Sequence, residues 1–160
     1  MNGQNSLLSN GDDVDVTFNE SDLKWINAGL GDNLNRYGVL AAKRILQDII
    51  TITPMVPNDG SFAYLTAPFL GGDIKIYTHL MPVATSQISI YPPKFQAFEK
   101  HQFSIIIFGQ MIDANTIELK GYMNRAELSK YYKGKELQID YIETKPLNDL
   151  VNLLSDTGAV

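Results

Sequence analysis

An aspartate at position 59 and the triplet Asp73-Ile74-Lys75 are the residues of this chain whose types and spacing best suit chemistry. Two carboxylates that converge hold a hard divalent cation through oxygen, and a lysine beside them serves a water attacking a phosphodiester. Alternate side chains on a strand share a face, so Asp73 and Lys75 stand about 7 Å apart along it. Asp59 joins them if the intervening chain is a hairpin turning near Ala67, which sets Asp59 opposite Lys75. A turn at Gly71-Gly72 is the other register the sequence allows, and it moves Asp59 several residues away. A plainer reading of Asp73, Lys75, Tyr77 and His79 is an exposed strand face with one ion pair, worth about 0.2–1 kcal/mol.

Other residues that could act are fewer. Glu118-Leu119-Lys120 is a second acid-x-lysine triplet, read as a solvated outer strand face. His79 and His101 lack the paired spacing of a zinc site. Tyr131-Tyr132-Lys133-Gly134-Lys135 is suited either to stacking on bases or to ending a helix with cations that complement its dipole. No phosphate-binding loop or nucleophile–base pair is present.

Charge is distributed unevenly. Of the net −5, the first 22 residues account for all of it through Asp12, Asp13, Asp15, Glu20 and Asp22; the remainder carries 13 basic and 13 acidic residues. From Lys94 to Lys135, seven cations (Lys94, Lys100, Lys120, Arg125, Lys130, Lys133, Lys135) face four acids, an excess that permits phosphate contacts without demanding them. With 160 residues, 44% of them hydrophobic, the chain is sized for one domain with a sizeable core. No apolar run approaches the roughly 18 residues of a membrane span, no secretory signal is visible, and the lack of cysteine suits a cytoplasmic chain.

The elements that must position these residues follow from period and punctuation. Residues 1–19 read as a flexible acidic leader with a short strand at Val14 to Phe18, and residues 20–160 as a single α/β domain. Asn19 or Ser21 caps a short helix, and Leu34, Gly38, Ala41, Ile45 and Ile49 give a longer helix, Asn33 to Ile50, one buried face on which Gly38 and Ala41-Ala42 allow close approach to a sheet. Strands are expected at Phe62 to Thr66, Asp73 to Leu80 and Gln87 to Tyr91, and a hairpin at Phe103 to Ile112 and Thr116 to Met123. Pro92-Pro93 opens a helix to Lys100, Asn124 with Glu127 starts another to Tyr131, and a strand at Leu137 to Ile142 precedes a last helix after Pro146. The outcome is a central mixed β-sheet flanked by helices, an α/β (α+β) fold.

This layout resembles the restriction-endonuclease-like fold of the PD-(D/E)XK nuclease superfamily over roughly residues 33 to 155. The resemblance rests on the helix from Asn33, on Pro57-Asn58-Asp59 and Asp73-Ile74-Lys75, and on Phe103 to Phe108 leading through Gly121-Tyr122-Met123 to Asn124-Arg125-Ala126-Glu127. It implies a Mg²⁺-dependent endonuclease of restriction or phage type, with Asp59, Asp73 and the Ile74 carbonyl on the metal and Lys75 at the water. DNA would be the partner, contacted by Lys94, Lys120, Arg125, Lys130, Lys133 and Lys135, and symmetric dimers are common in the family. In the Gly71-Gly72 register the family's Glu-x-Lys positions fall on Lys75 and Tyr77. The alternative is then a noncatalytic member of the fold that binds DNA or regulates a protein partner.

Overall fold

A strand that is apolar on both faces belongs in the middle of a layered structure. The computed structural model describes residues 14–28, 33–57, 62–69, 72–113 and 115–156, and it sets Ile105 onward in a central strand β6 (Ile105–Asp113). β6 runs parallel to β4 (Gly72–Met81) and antiparallel to β7 (Thr116–Asn124). β3 (Tyr64–Phe69) and β2 (Thr53–Met55) extend the sheet beyond β4, and β1 (Val14–Thr17) forms the opposite edge on β7, giving six strands in the order β1-β7-β6-β4-β3-β2. β5 (Gln87–Ile90) and β8 (Leu137–Asp140) pair separately as a two-stranded antiparallel ribbon.

The described α-helices are α1 (Glu20–Asn27), α2 (Asn33–Leu46), α3 (Pro92–Lys100), α4 (Arg125–Ser129) and α5 (Leu147–Asp156), so the fold is mixed α+β. Two of them begin as their sequences dictate. Asn19 and Asp22 form a reciprocal capping box on α1, as do Asn124 and Glu127 on α4. Among the described residues no helix is long and apolar enough to cross a membrane. Residues 1–13 of the expected leader lie outside the described residues; Val16 and Phe18, just after them, are buried in the core.

The sheet separates two cores. On one face α2, α5 and α1 bring Val39, Ala41, Ala42, Leu46, Leu147, Leu150 and Ile26 against Leu65, Ile76, Ile105, Ile107 and Leu119. The approach of α2 to β4 is close enough that a Cβ on Gly38 would lie 2.2 Å from Thr78 Oγ1, so only glycine fits. Asn35, also on α2, is buried and donates through Nδ2 to the Ala63 carbonyl at 3.0 Å while its Oδ1 accepts from the Ala63 amide at 2.7 Å. The other face, carrying Tyr77, Ile106, Phe108 and Met123, is covered by the β5–β8 ribbon, α3 and α4 through Ile88, Ile90, Phe95, Phe98, Ile139 and Leu128.

Several boundaries differ from the sequence reading, the hairpin most of all. Phe69 pairs with Gly72, Ala67 with Ile74 and Thr66 with Lys75, so the strands are joined beyond Phe69 and Ala67 sits inside β3. Pro68, which reads as a turn residue, is accommodated in β3 because β2 pairs only with Tyr64 to Thr66 and leaves that side of the strand open beyond them. Helix α2 stops at Leu46 rather than Ile50; Ile49 and Ile50 both donate their amides back to the Leu46 carbonyl in a terminal turn.

Candidate functional site

Asp73 and Lys75 share one face at the start of β4, as strand alternation requires. Asp73 is exposed and pairs across the hairpin with Pro68, while Lys75 is half-buried. The Lys75 ammonium donates to the His101 carbonyl at 3.0 Å and lies over the Tyr64 ring, 5.5 Å from its centroid. Its backbone is fixed to the same turn: the Lys75 amide donates to Ser104 Oγ at 3.1 Å and its carbonyl accepts from the Ser104 amide at 2.9 Å. The cross-strand neighbour of Lys75 is Thr66, which corrects the expectation of a turn near Ala67 that would set position 59 there. Asp59 itself lies outside the described residues. Of the two carboxylates expected to hold Mg²⁺, Asp73 is thus the one whose surroundings are known, and among the described residues no group of three or more His, Cys, Asp or Glu side chains converges on a cation site.

Further along β4 the same face is buried, not exposed as the plainer reading has it. Tyr77 is 1% exposed, stacked on Tyr64 at 5.0 Å between centroids and met edge-on by Phe98 at 5.2 Å. Phe62 and Lys94 complete this cluster, the Lys94 ammonium lying 5.2 Å from the Phe62 centroid and 5.8 Å from that of Phe98. His79 follows, 6% exposed, with Nε2 2.8 Å from the Ser89 carbonyl and Phe108 edge-on at 6.3 Å. A carbonyl only accepts, so Nε2 carries the proton. Nδ1 is buried without a hydrogen-bond partner. Burial pulls the His79 imidazole down to about 3; the nearby Lys94 charge adds to the fall and the Ser89 hydrogen bond opposes it. The ring is therefore neutral at physiological pH.

No family model, curated protein or solved structure matches this chain. Its site must be read from its own geometry.

The cations expected to meet phosphate fall into two sets. Arg125 makes a two-pronged pair with Glu99, Nη2 to Oε1 at 2.7 Å and Nε to Oε2 at 3.3 Å. Lys120 lies 3.5 Å from Glu118 and over the Tyr141 ring, in a bulge of β7 between Leu119, opposite Gly109, and Gly121, opposite Phe108. Glu118 also accepts from Nε2 of the buried Gln110 at 2.9 Å, so the expected solvated face of Glu118 and Lys120 is a half-buried polar cluster. Lys94 is packed among rings as above. Lys130, Lys133 and Lys135 are exposed on the segment joining α4 to β8, and among the described residues neither Lys133 nor Lys135 forms an ion pair.

The tyrosines of that segment are not the free platforms their sequence suggests. Tyr132 stacks on Phe95 at 4.3 Å and accepts from Gln96 Nε2, and the Tyr131 hydroxyl donates to Glu143 at 3.2 Å. Among the described residues the most exposed ring is Tyr91, 64% accessible, which precedes Pro92 in extended backbone (φ −77°, ψ 150°). Sequence reasoning passed over it. The signal was the alternation along β5: Ile88 and Ile90 are fully buried, which turns Tyr91 outward.

Proposed function

We propose that this chain is a noncatalytic binding protein on a restriction-endonuclease-like scaffold, and that nucleic acid is its ligand. The observation that carries this is the state of the β4 face. Lys75, the lysine a hydrolytic site would set beside its water, has its ammonium engaged by the His101 carbonyl and the Tyr64 ring. One step along, Tyr77 fills the space between Tyr64 and Phe98. A metal-bound water needs a polar, open coordination site, and this stretch of strand is packed with rings. The scaffold reading is supported by the succession of α2, the antiparallel β2, β3 and β4, the central β6, and the Gly121-Tyr122 strand end leading into the Asn124 cap. Unpaired lysines gathered on one exposed segment, in a body whose basic and acidic residues balance only when those lysines are counted, suit a ligand read through its phosphates.

The test is incubation of the full chain with labelled duplex and single-stranded DNA in Mg²⁺ and in Mn²⁺. The expected result is binding that weakens with salt and leaves every substrate intact, with Asp73→Ala indistinguishable from the wild type. Metal-dependent cleavage that disappears in Asp73→Ala would overturn this reading and restore the endonuclease, with Asp59 and Asp73 on Mg²⁺ and Lys75 at the water.

A further inference from the structure

We infer that the segment from Lys130 to Lys135, together with Tyr91, is a binding site for single-stranded nucleic acid, in which the lysines follow the phosphates and Tyr91 stacks on an unpaired base. The inference deepens the binding reading above and rests on it, adding the place and the class of ligand.

Two sets of contacts bring the parts together. The ribbon register pairs Ile90 with Leu137, so Tyr91, next to Ile90, leaves β5 beside the point where Lys135 and Glu136 enter β8. On the other side, Tyr132 is held to α3, the helix that begins immediately after Tyr91, by its stack on Phe95 and its hydrogen bond from Gln96, and the exposed Lys133 is the next residue in the chain. Carried one step further, the register sets Tyr91 opposite Glu136, about 5 Å away across the ribbon, and Lys135 is the next residue along, within the reach of one nucleotide and its flanking phosphate. The segment holds three lysines and no acid between Lys130 and Lys135. Gly134 at its tip has φ +82° and nothing within 4 Å of where a Cβ would be, so the tip stands in open space.

The acids nearby are already engaged, apart from Glu136. Glu99 is bound by Arg125, Glu143 accepts from Tyr131, and Glu127 is 2.9 Å from Lys145, with Lys130 also within its field. Glu136 is half-buried beside Lys135. The α3 amides are not the anion receptor: Pro92 and Pro93 have no N–H, and the amides of Lys94 and Phe95 already donate to the Tyr91 carbonyl. Recognition therefore falls to the lysines and the ring.

Exposure of that ring decides the class of ligand. Duplex bases hide their faces in the stack, whereas a single strand offers each base to an aromatic platform while its backbone runs along cations. Tyr91 is largely exposed, and Lys135 lies just before the strand that pairs beside it, which suits that arrangement.

The experiment is fluorescence anisotropy of a labelled oligothymidylate of about 12 nucleotides, and of the same length as duplex, titrated with the full-length protein at several salt concentrations. Expected is tighter binding of the single strand, a loss of about 5- to 100-fold in Tyr91→Ala, and in Lys133→Ala/Lys135→Ala a salt slope shallower by about 1.4, two phosphate contacts at about 0.7 each. These side chains are exposed, so thermal melting of the variants should match the wild type and show that they fold. A wild type that binds no nucleic acid overturns the binding reading and this site with it. Wild-type binding unchanged in the lysine variant leaves the binding reading standing and overturns the site. Preference for duplex, or full retention of affinity in Tyr91→Ala, overturns the single-strand assignment.

Discussion

The two faces of the six-stranded sheet are closed by opposite means. The face under α2 is aliphatic and small, with Gly38, Ala41 and Ala42 letting the helix settle onto β4. The face under the ribbon and α3 is aromatic, and it contains Lys75, Tyr77 and His79, residue types normally associated with catalysis. The Lys75 ammonium, the Tyr77 ring and His79 Nε2 are each tied to a neighbour by hydrogen bond or ring contact, and this is where the chain departs from what its motif suggests. Residue type shows what a side chain can do; the layer packed above it decides whether it is free to do so.

The sharpest way to break the contrast is to remove a ring. Phe98 is fully buried and touches Phe62, Tyr77 and Phe103, so Phe98→Ala should destabilise the protein by about 3–5 kcal/mol in urea unfolding. A loss below about 1 kcal/mol would mean that the aromatic face is a loose cover and not a second core.

A smaller effect tests the neutrality of that face. Because the folded-state pKa of His79 is lowered to about 3 from the ordinary 6.5, the unfolded chain takes up the proton first as pH falls. The stability is therefore fully present above pH 6.5 and is lost as pH drops toward 3, at up to about 1.4 kcal/mol per pH unit. Urea unfolding of wild type and His79→Gln between neutral pH and pH 4 checks this: the variant should lack that part of the acid dependence. Parallel pH profiles would refute it.

The smallest effect sharpens the aliphatic side. Thr78 presents a buried Oγ1 without a hydrogen-bond partner beneath Gly38. Replacing an unsatisfied hydroxyl with a methyl removes a desolvation cost, so Thr78→Val should raise stability by about 1 kcal/mol in the same assay. A decrease would mean the hydroxyl is satisfied by water.

Much of the scaffold was legible locally. Both capping boxes are four-residue signals, β6 announced its central position by being apolar on both faces, and Gly38 with Ala41-Ala42 marked the contact of α2 with the sheet. The site was not, for two physical reasons. The hairpin offered two turns, one near Ala67 and one at Gly71-Gly72, with turn-forming residues at both, and the structure pairs Phe69 with Gly72. The burial of Tyr77 and His79 depends on a ribbon and a helix encoded later in the chain, and nothing in residues 73 to 79 specifies that cover. Both side chains have apolar bodies with polar tips, which on a strand read equally well as inside or outside. The same ambiguity, inverted, concealed Tyr91.

The hydrogen bond from His79 to Ser89 crosses from the main sheet to the ribbon. Its proton is hidden from water as long as the ribbon lies flat, so its exchange with solvent marks the moments when that layer lifts. The molecule thus carries an internal clock for one seam, which separates the opening of the aromatic layer from unfolding of the whole.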